Sequence, residues 1–262
     1  MTSAERDRRR IKIPVAIVSL AAWAFLLVRA GGSALSGSCC LPSSLQDGFT
    51  VSSWRMLLEK NPPTQMALGW AIMVVAMMAP LMCSCIQHIR ETSLTRRRLR
   101  AIGLFLLGYF VIWMAAAFVL LPIALTIRLF APTSFLPVFV GAVLALIWQM
   151  SPVKQKCLNR KHAHPSLAPF GLRADWEAIR FGLVHGWWCF SSCWALMLLA
   201  ELFPSGHLIA MALFTLWLLA EELDRPSEPH WRIRGIQKAY RVSVAQIQQW
   251  LGTNSRSVLA RF

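Results

Sequence analysis

Sulfur-bearing side chains are the residues of this sequence whose types and spacing are best suited to chemistry. The chain of 262 residues contains seven Cys and eleven Met. Thiolate and thioether sulfur atoms are soft ligands, which select Cu(I) and similar metals over harder ions. Because Met is also a common packing residue in apolar cores, its number alone does not indicate a metal site. The interpretation therefore depends on where the sulfur atoms lie relative to one another.

In the fifth apolar segment of the chain, soft or ionisable side chains recur at every fourth position: His185, Cys189, Cys193, Met197 and Glu201. Residues four apart lie about one turn above each other in a helix, so these side chains form one stripe. Ionisable groups are costly against lipid, and the stripe is therefore expected to face protein. An alternative is that Cys189 and Cys193 are small residues at a helix contact, next to the small pair Gly182 and Gly186.

A second group of sulfur atoms lies in the second apolar segment, and its members are Met73, Met77, Met78, Cys83 and Cys85. At 1.5 Å per residue, Met77 and Cys189 both lie about 12 to 14 Å from the inner ends of their helices. Met73 and Cys193 match one turn further out. If the two segments are neighbours, they form a ladder of thiols, thioethers and imidazole that leads to Cys157 at the inner end.

The composition is that of a membrane protein: 56% of the residues are apolar, 15% are charged, and the mean hydropathy is positive. A helix needs about 20 apolar residues to cross a bilayer core of about 30 Å. Six segments approach or exceed this length: 13–28 (extendable to 35), 66–86, 101–127, 129–153, 181–200 and 202–220. Pro80 is expected to kink the second segment and to free a carbonyl that another group must bind. The sequence predicts an all-α, polytopic transmembrane helix bundle with six spans.

Basic residues predict the orientation, because positively charged loops near span ends are retained in the cytoplasm. With both termini inside, 23 of the 27 Lys and Arg residues lie in cytoplasmic segments. The expected parts are a cytoplasmic N-terminus (1–12), a six-span membrane domain (13–222) with an outer loop (31–65) and inner loops (87–100 and 154–180), and a basic cytoplasmic tail (223–262). We expect a multi-pass protein of the cell inner membrane, whose net charge of +15 favours anionic lipid over a nucleic-acid partner.

Three further interpretations stay open. Cys39 and Cys40 in the outer loop could exchange disulfides in an oxidising compartment, which would make the chain a thiol-redox or assembly factor. The tail could lie on the membrane as an amphipathic helix, or carry a recognition unit with Trp250 and Arg256 in a membrane-anchored sensor. A signal sequence ending before Cys39 would remove the first span. No Gly-rich phosphate loop, His-Glu-x-x-His motif or nucleophile elbow is present in the sequence, so no enzyme class is predicted.

Four motifs resemble those of a known family. They are Gly69-Trp-Ala-Ile-Met-Val-Val-Ala-Met-Met-Ala-Pro80, Gly108-Tyr-Phe-Val-Ile-Trp113, Gln149-Met-Ser-Pro-Val-Lys-Gln-Lys-Cys-Leu158 and Gly186-Trp-Trp-Cys-Phe-Ser-Ser-Cys-Trp-Ala-Leu-Met197. In type and order they are similar to the bacterial predicted metal-binding integral membrane proteins, a domain family of unknown function. The resemblance covers most of 66–222 and implies a metal-binding membrane domain. The family pattern has Cys where this chain has Lys161 and Ser192, and Pro where it has Ser84, so two of the family's thiolates are missing here.

Together these features predict an integral membrane protein that binds a soft transition metal, and copper as Cu(I) is the expected ion. Cys189 and Cys193 would bind as thiolates, Met73 and Met77 as thioethers, and Cys157 would be an inner acceptor. The full set of expected ligands is Cys189, Cys193, Met73, Met77, Cys157, His185, Met78, Cys83 and Cys85. The expected role is handling of the metal, or its delivery to a membrane-associated metalloprotein or metallochaperone.

Overall fold

The computed structural model describes residues 3–33, 55, 59, 62–130, 135–168, 170–203, 205–224 and 226–235. Within these residues the regular elements are helices: α1 (Ser3–Ser33), α2 (Pro63–Met78), α3 (Cys83–Thr92), α4 (Arg98–Phe130), α5 (Leu136–Met150), α6 (Pro152–Lys161), α7 (Gly171–Leu202) and α8 (His207–Glu222). A 3-10 turn over Ala79–Met82 joins α2 to α3, and another over Thr95–Arg97 precedes α4. The all-α class predicted from the sequence is thereby confirmed for the described residues.

Four stretches of the described chain are long and apolar enough to cross a membrane: Arg9–Ala30, Pro63–Thr92, Thr95–Phe130 and Gly171–Leu202. A fifth is added if α5 and α6, which meet at an angle of 64°, form one broken span. α8 has 16 residues and is about 24 Å long, which is shorter than the bilayer core. Length and composition thus support four or five crossings among the described residues, and the predicted six spans and their orientation stay predictions.

The fourth apolar segment, predicted over 129–153, is interrupted in the structure. α5 ends at Met150, and the hydroxyl oxygen of Ser151 accepts a hydrogen bond of 3.1 Å from the backbone N–H of Val153, which caps α6. Pro152 lies in the first turn of α6, where backbone N–H groups have no acceptor within the helix, so the lack of an N–H in proline costs no hydrogen bond. Because the cap and the proline start a new helix, part of the predicted inner loop is the helix α6.

At Pro80, where the sequence predicts a kink, the α-helix is interrupted by the 3-10 segment between α2 and α3. In a continuous α-helix the residue at this position would donate to the carbonyl of Ala76, but proline has no N–H. Ser19 of α1 donates its hydroxyl to that carbonyl at 2.7 Å. A neighbouring helix therefore satisfies the carbonyl that Pro80 frees, and this contact fixes α1 against the break.

α4 and α7 form the most extensive helix pair of the described chain. A Cβ atom added to Gly182 would lie 2.1 Å from the carbonyl oxygen of Phe105, and one added to Gly108 would lie 2.5 Å from that of Ile179. Both distances are far shorter than van der Waals contact, so only glycine lets the two backbones approach this closely. The close packing predicted from Gly182 and Gly186 is therefore confirmed, and it sets the position of the face of α7 that carries the thiols.

Candidate metal centre

The stripe of α7 faces the interior of the bundle, as the sequence predicts. Its three inner members, His185, Cys189 and Cys193, are each at most 3% exposed. Cys83 is partly exposed. The other eight predicted ligands are buried: Cys189, Cys193, Met73, Met77, Met78, Cys157, His185 and Cys85. The soft donors are therefore shielded from lipid by the protein itself.

A thiol and an imidazole meet at the basic end of the bundle, where the segments 87–100 and 154–168 lie. The Sγ atom of Cys85 on α3 lies 3.5 Å from Nδ1 and 3.6 Å from Nε2 of His185 on α7. The rings of Phe105 and Tyr109, both on α4, lie 5.9 and 6.0 Å from the imidazole, centroid to centroid. This contact joins the second and fifth apolar segments directly, and it places a thiol and an imidazole, two types of group that can bind copper, in an apolar environment.

One turn further into the bundle, the thiol of Cys189 contacts α4. The hydroxyl of Tyr109 lies 3.3 Å from Sγ of Cys189. The thiol of Cys193 donates to the carbonyl of Cys189 at 3.0 Å, and the hydroxyl of Ser192 donates to the same carbonyl at 2.7 Å. Both bonds are local to α7, and a thiol is a weak donor. The two thiols are thus held by weak contacts, which a metal ion can replace.

The structure does not bring every predicted ligand to one point. α7 packs chiefly against α4 rather than against α2, so the pairing of Met77 with Cys189 and of Met73 with Cys193 stays a prediction. Among the residues that the structure describes, no three side chains of His, Cys, Asp or Glu converge as a metal site. A soft ion in this region would therefore use two such ligands or add a Met thioether, and both choices suit Cu(I).

A second buried polar region, here called the charged layer, consists of two lysines of α6 and two glutamates of α8: Lys154, Lys161, Glu221 and Glu222. The side chains of Lys154 and Glu221 are both 2% exposed and form an ion pair, which Gln149 joins from α5. The indole N–H of Trp217 also donates to Glu221, at 3.0 Å. These contacts fix α6 against α8 beneath the thiols.

Lys161 brings the charged layer and the stripe together. Its ammonium nitrogen lies 2.6 Å from a carboxylate oxygen of Glu222, and it is close enough to Cys189 and Cys193 to interact with them electrostatically. The backbone of Lys161 also forms a hydrogen bond with His185. Burial lowers the pKa of the adjacent His162, so that imidazole stays neutral at pH 7 and the lysines supply the positive charge.

The beginning of the basic tail packs across α6. The side-chain amide of Gln155 donates to the carbonyl of His230 and accepts from its N–H at 3.0 Å. Asn159, one turn later, donates to the carbonyl of Ser227 at 2.7 Å and accepts from its N–H at 3.3 Å. These paired bonds are the pattern of a strand edge, supplied here by side chains. The segment 226–235 therefore holds the outer side of α6 in place.

Sequence reasoning did not find Tyr109 or the members of the charged layer as parts of the site. Tyr109 lies within one of the four motifs, next to the glycine at the helix crossing, and that position was the available signal. The charged residues of the layer follow apolar segments, and its lysines were used only to predict the orientation of the chain in the membrane. Four residues of the open alternatives, Cys39, Cys40, Trp250 and Arg256, lie outside the described residues.

A comparison with known protein families identifies the family to which the chain belongs. The model of the PpoB2 family, described as copper chaperone, matches residues 67–241, which is more than half of the chain. No curated protein and no solved structure matches it. The matched range contains all nine predicted ligands and the charged layer, so the buried soft donors lie within the family domain. The chain therefore belongs to the copper chaperone family.

Proposed function

We propose that this chain is an integral membrane copper chaperone, which binds Cu(I) within its helix bundle and passes it to a membrane-associated acceptor protein. In the proposed orientation, the basic segments lie in the cytoplasm and the Cys85–His185 pair marks the cytoplasmic end of the bundle. The observation that carries the proposal is the burial of thiol, thioether and imidazole groups within the matched domain, where the Cys85 thiol of α3 contacts the His185 imidazole of α7. Copper is the cargo of this function.

The chemistry of the donors supports Cu(I) rather than a harder ion. Thiolate and thioether sulfur favour soft metals, whereas Zn²⁺ sites of the structural type use four ligands in a closed tetrahedron. The described part of the chain offers donors in pairs, such as Cys85 with His185 in direct contact and Cys189 with Cys193, whose side chains interact one turn apart on α7. Cu(I) accepts two or three ligands, so pairs of this kind suffice to hold it.

The spacing of the donors supports transfer along the bundle. His185, Cys189 and Cys193 follow one another in four-residue steps of about 6 Å on one buried face of α7. At such steps an ion can bind to the next ligand before it leaves the previous one, so it does not cross the apolar interior as a bare charge. Met77 and Met73 are buried at corresponding depths of α2 and are the proposed thioether partners.

The test is the copper content of the detergent-purified full-length protein, measured by elemental analysis after anaerobic loading with Cu(I). The wild-type chain should retain copper through a desalting column. The double variant Cys189→Ser with Cys193→Ser should lose most of it, because a hydroxyl is a poor ligand for a soft ion.

The matched control is Ser192→Ala, which removes a hydroxyl from the same buried turn of α7 and should leave the copper content unchanged. Thermal unfolding of each variant shows whether it is folded. Equal copper content in the double variant and the wild type would refute the proposed ligand set.

A further inference from the structure

Two histidines outside the predicted ligand set face each other at the basic end of the bundle. The rings of His88 on α3 and His164 in the loop after α6 lie 5.0 Å apart, centroid to centroid, with their planes tilted by 58°. Nε2 of His88 lies 2.8 Å from the carbonyl oxygen of Pro165. Since a carbonyl only accepts, Nε2 carries the proton, which makes Nδ1 the ring nitrogen that can offer a lone pair to a metal ion.

The ring of Phe181 separates this histidine pair from the buried thiols. It lies 6.0 Å from the ring of His88, 6.4 Å from that of His164 and 5.9 Å from that of His185. Phe181 itself is 4% exposed. His185 continues to the Cys85 thiol, 3.5 Å away. A single phenyl ring thus stands between an outer pair of imidazoles and the inner imidazole–thiol pair.

We propose that His88 and His164 form a docking site that receives Cu(I) at the basic end, and that the Phe181 ring gates its passage to Cys85 and His185. The inference deepens the proposed copper-chaperone function and rests on it. Each imidazole donates one nitrogen lone pair to the ion, and no electron is transferred. The ion then exchanges these two ligands for the inner imidazole and the sulfur of Cys85, and the proton of the Cys85 thiol passes to one of the vacated outer imidazoles.

The direction of transfer follows from burial and from ligand type. His164 is exposed, His88 is partly exposed, and His185 and Cys85 are buried, so the series leads inward. Thiolate sulfur holds Cu(I) more tightly than imidazole nitrogen, which favours movement from the outer pair to the inner pair. Burial and the neighbouring His88 lower the pKa of His164, so its ring is neutral and able to bind at pH 7.

The test is the rate of copper uptake by the purified full-length protein. Cu(I) is supplied anaerobically as its coloured bicinchoninate complex, and the loss of colour is followed by stopped flow. The variant His88→Ala with His164→Ala should take up copper about tenfold more slowly and reach the same final amount, because the inner ligands remain. His230→Ala is the control, since this imidazole is exposed and its Nε2 lies 3.6 Å from a carboxylate oxygen of Glu228, away from the His88–His164 pair.

Substitution of Phe181 tests the gate. Phe181→Ala should raise the uptake rate several-fold at an unchanged final amount. Phe181→Leu, which keeps most of the apolar volume and is expected to fold, should give a rate between those of Phe181→Ala and the wild type. If neither variant is faster than the wild type, the gate is refuted.

The outcomes distinguish a failure of the docking site from a failure of the proposed copper-chaperone function. A wild-type chain that takes up no copper would refute the proposed function and this inference together. A wild-type chain that takes up copper, with the double histidine variant equally fast, would refute the docking site alone. Slower uptake with an unchanged final amount in that variant, and wild-type behaviour of His230→Ala, would support it.

Discussion

The thiols of α3 and α7 and the ion pair of the charged layer are both buried, yet their side chains are partnered in opposite ways. Cys85, Cys189 and Cys193 have weak contacts to an imidazole, a phenol and a backbone carbonyl. Lys154 and Glu221 instead form an ion pair in which two further side chains take part. Weakly held donors can exchange their partners for a metal, whereas a buried ion pair with additional hydrogen bonds to one carboxylate oxygen is costly to break. The bundle thus separates the groups that can bind cargo from those that hold its helices together.

Lys161 is the point at which the two regions meet. Its side chain pairs with Glu222, and it also lies within electrostatic reach of both thiols. In the family that the sequence resembles, a Cys occupies this position. This chain has a buried, paired ammonium where that resemblance leads us to expect a thiol, so we expect an ion at Cys189 and Cys193 to have fewer sulfur ligands here.

Breaking the charged layer should have the largest effect on stability. Glu221→Gln leaves the ammonium of Lys154 buried without a carboxylate, and the free energy of unfolding should fall by about 3 to 5 kcal/mol. Thermal or denaturant unfolding of the purified protein measures this loss. Glu228→Gln, at a side chain that is 90% exposed, is the control and should change little. A loss below about 1 kcal/mol in Glu221→Gln would show that the ion pair does not hold α6 against α8.

Separating α4 from α7 should have an intermediate effect that reaches both regions. A Cβ atom at residue 182 would lie 2.1 Å from the Phe105 carbonyl oxygen, so Gly182→Ala should destabilise the protein by about 1 to 3 kcal/mol. It should also weaken copper binding, because α7 carries the thiols. Gly103→Ala on α4 is the control: a Cβ atom at this position meets no neighbouring group within 4 Å, so the substitution should be neutral or stabilising by about 0.5 to 1 kcal/mol. Similar unfolding midpoints in the two variants would contradict the close contact.

Removing the phenol next to Cys189 should have the smallest effect. Tyr109→Phe deletes one hydrogen bond to sulfur, and the free energy of unfolding should fall by about 0.5 to 1.5 kcal/mol. The copper content of the purified protein should not change, because the phenol is not a proposed ligand. A loss of stability as large as that in Glu221→Gln would remove the distinction between weakly and strongly partnered groups.

Much of the fold follows from local patterns in the sequence. The apolar segments predict the helices, Pro80 predicts the break and the free carbonyl of Ala76, and Gly182 predicts close packing, because each effect acts within a few residues. The burial of the α7 stripe was predictable for the same reason. The partners of these groups were not, since Ser19, Tyr109 and Phe105 come from other helices.

The break at Ser151 and the burial of α6 were not predicted. The positive-inside rule assigns lysines that follow an apolar segment to a cytoplasmic loop, which is expected to be exposed. The rule gives no indication that such lysines are buried. Lys154 and Lys161 are buried only because Glu221 and Glu222 face them from a helix more than 60 residues later. Pairing over such a distance depends on the tertiary fold, which periodicity and spacing do not report.

The most direct test of the account is X-ray absorption at the copper K edge of the purified, Cu(I)-loaded protein. Binding at the α7 thiols predicts a ligand shell that contains sulfur, and this sulfur signal should fall sharply in Cys189→Ser with Cys193→Ser and stay unchanged in Ser192→Ala. A shell of nitrogen and oxygen only, or a sulfur signal of undiminished size after the double substitution, would contradict the claim that these buried thiols hold the copper.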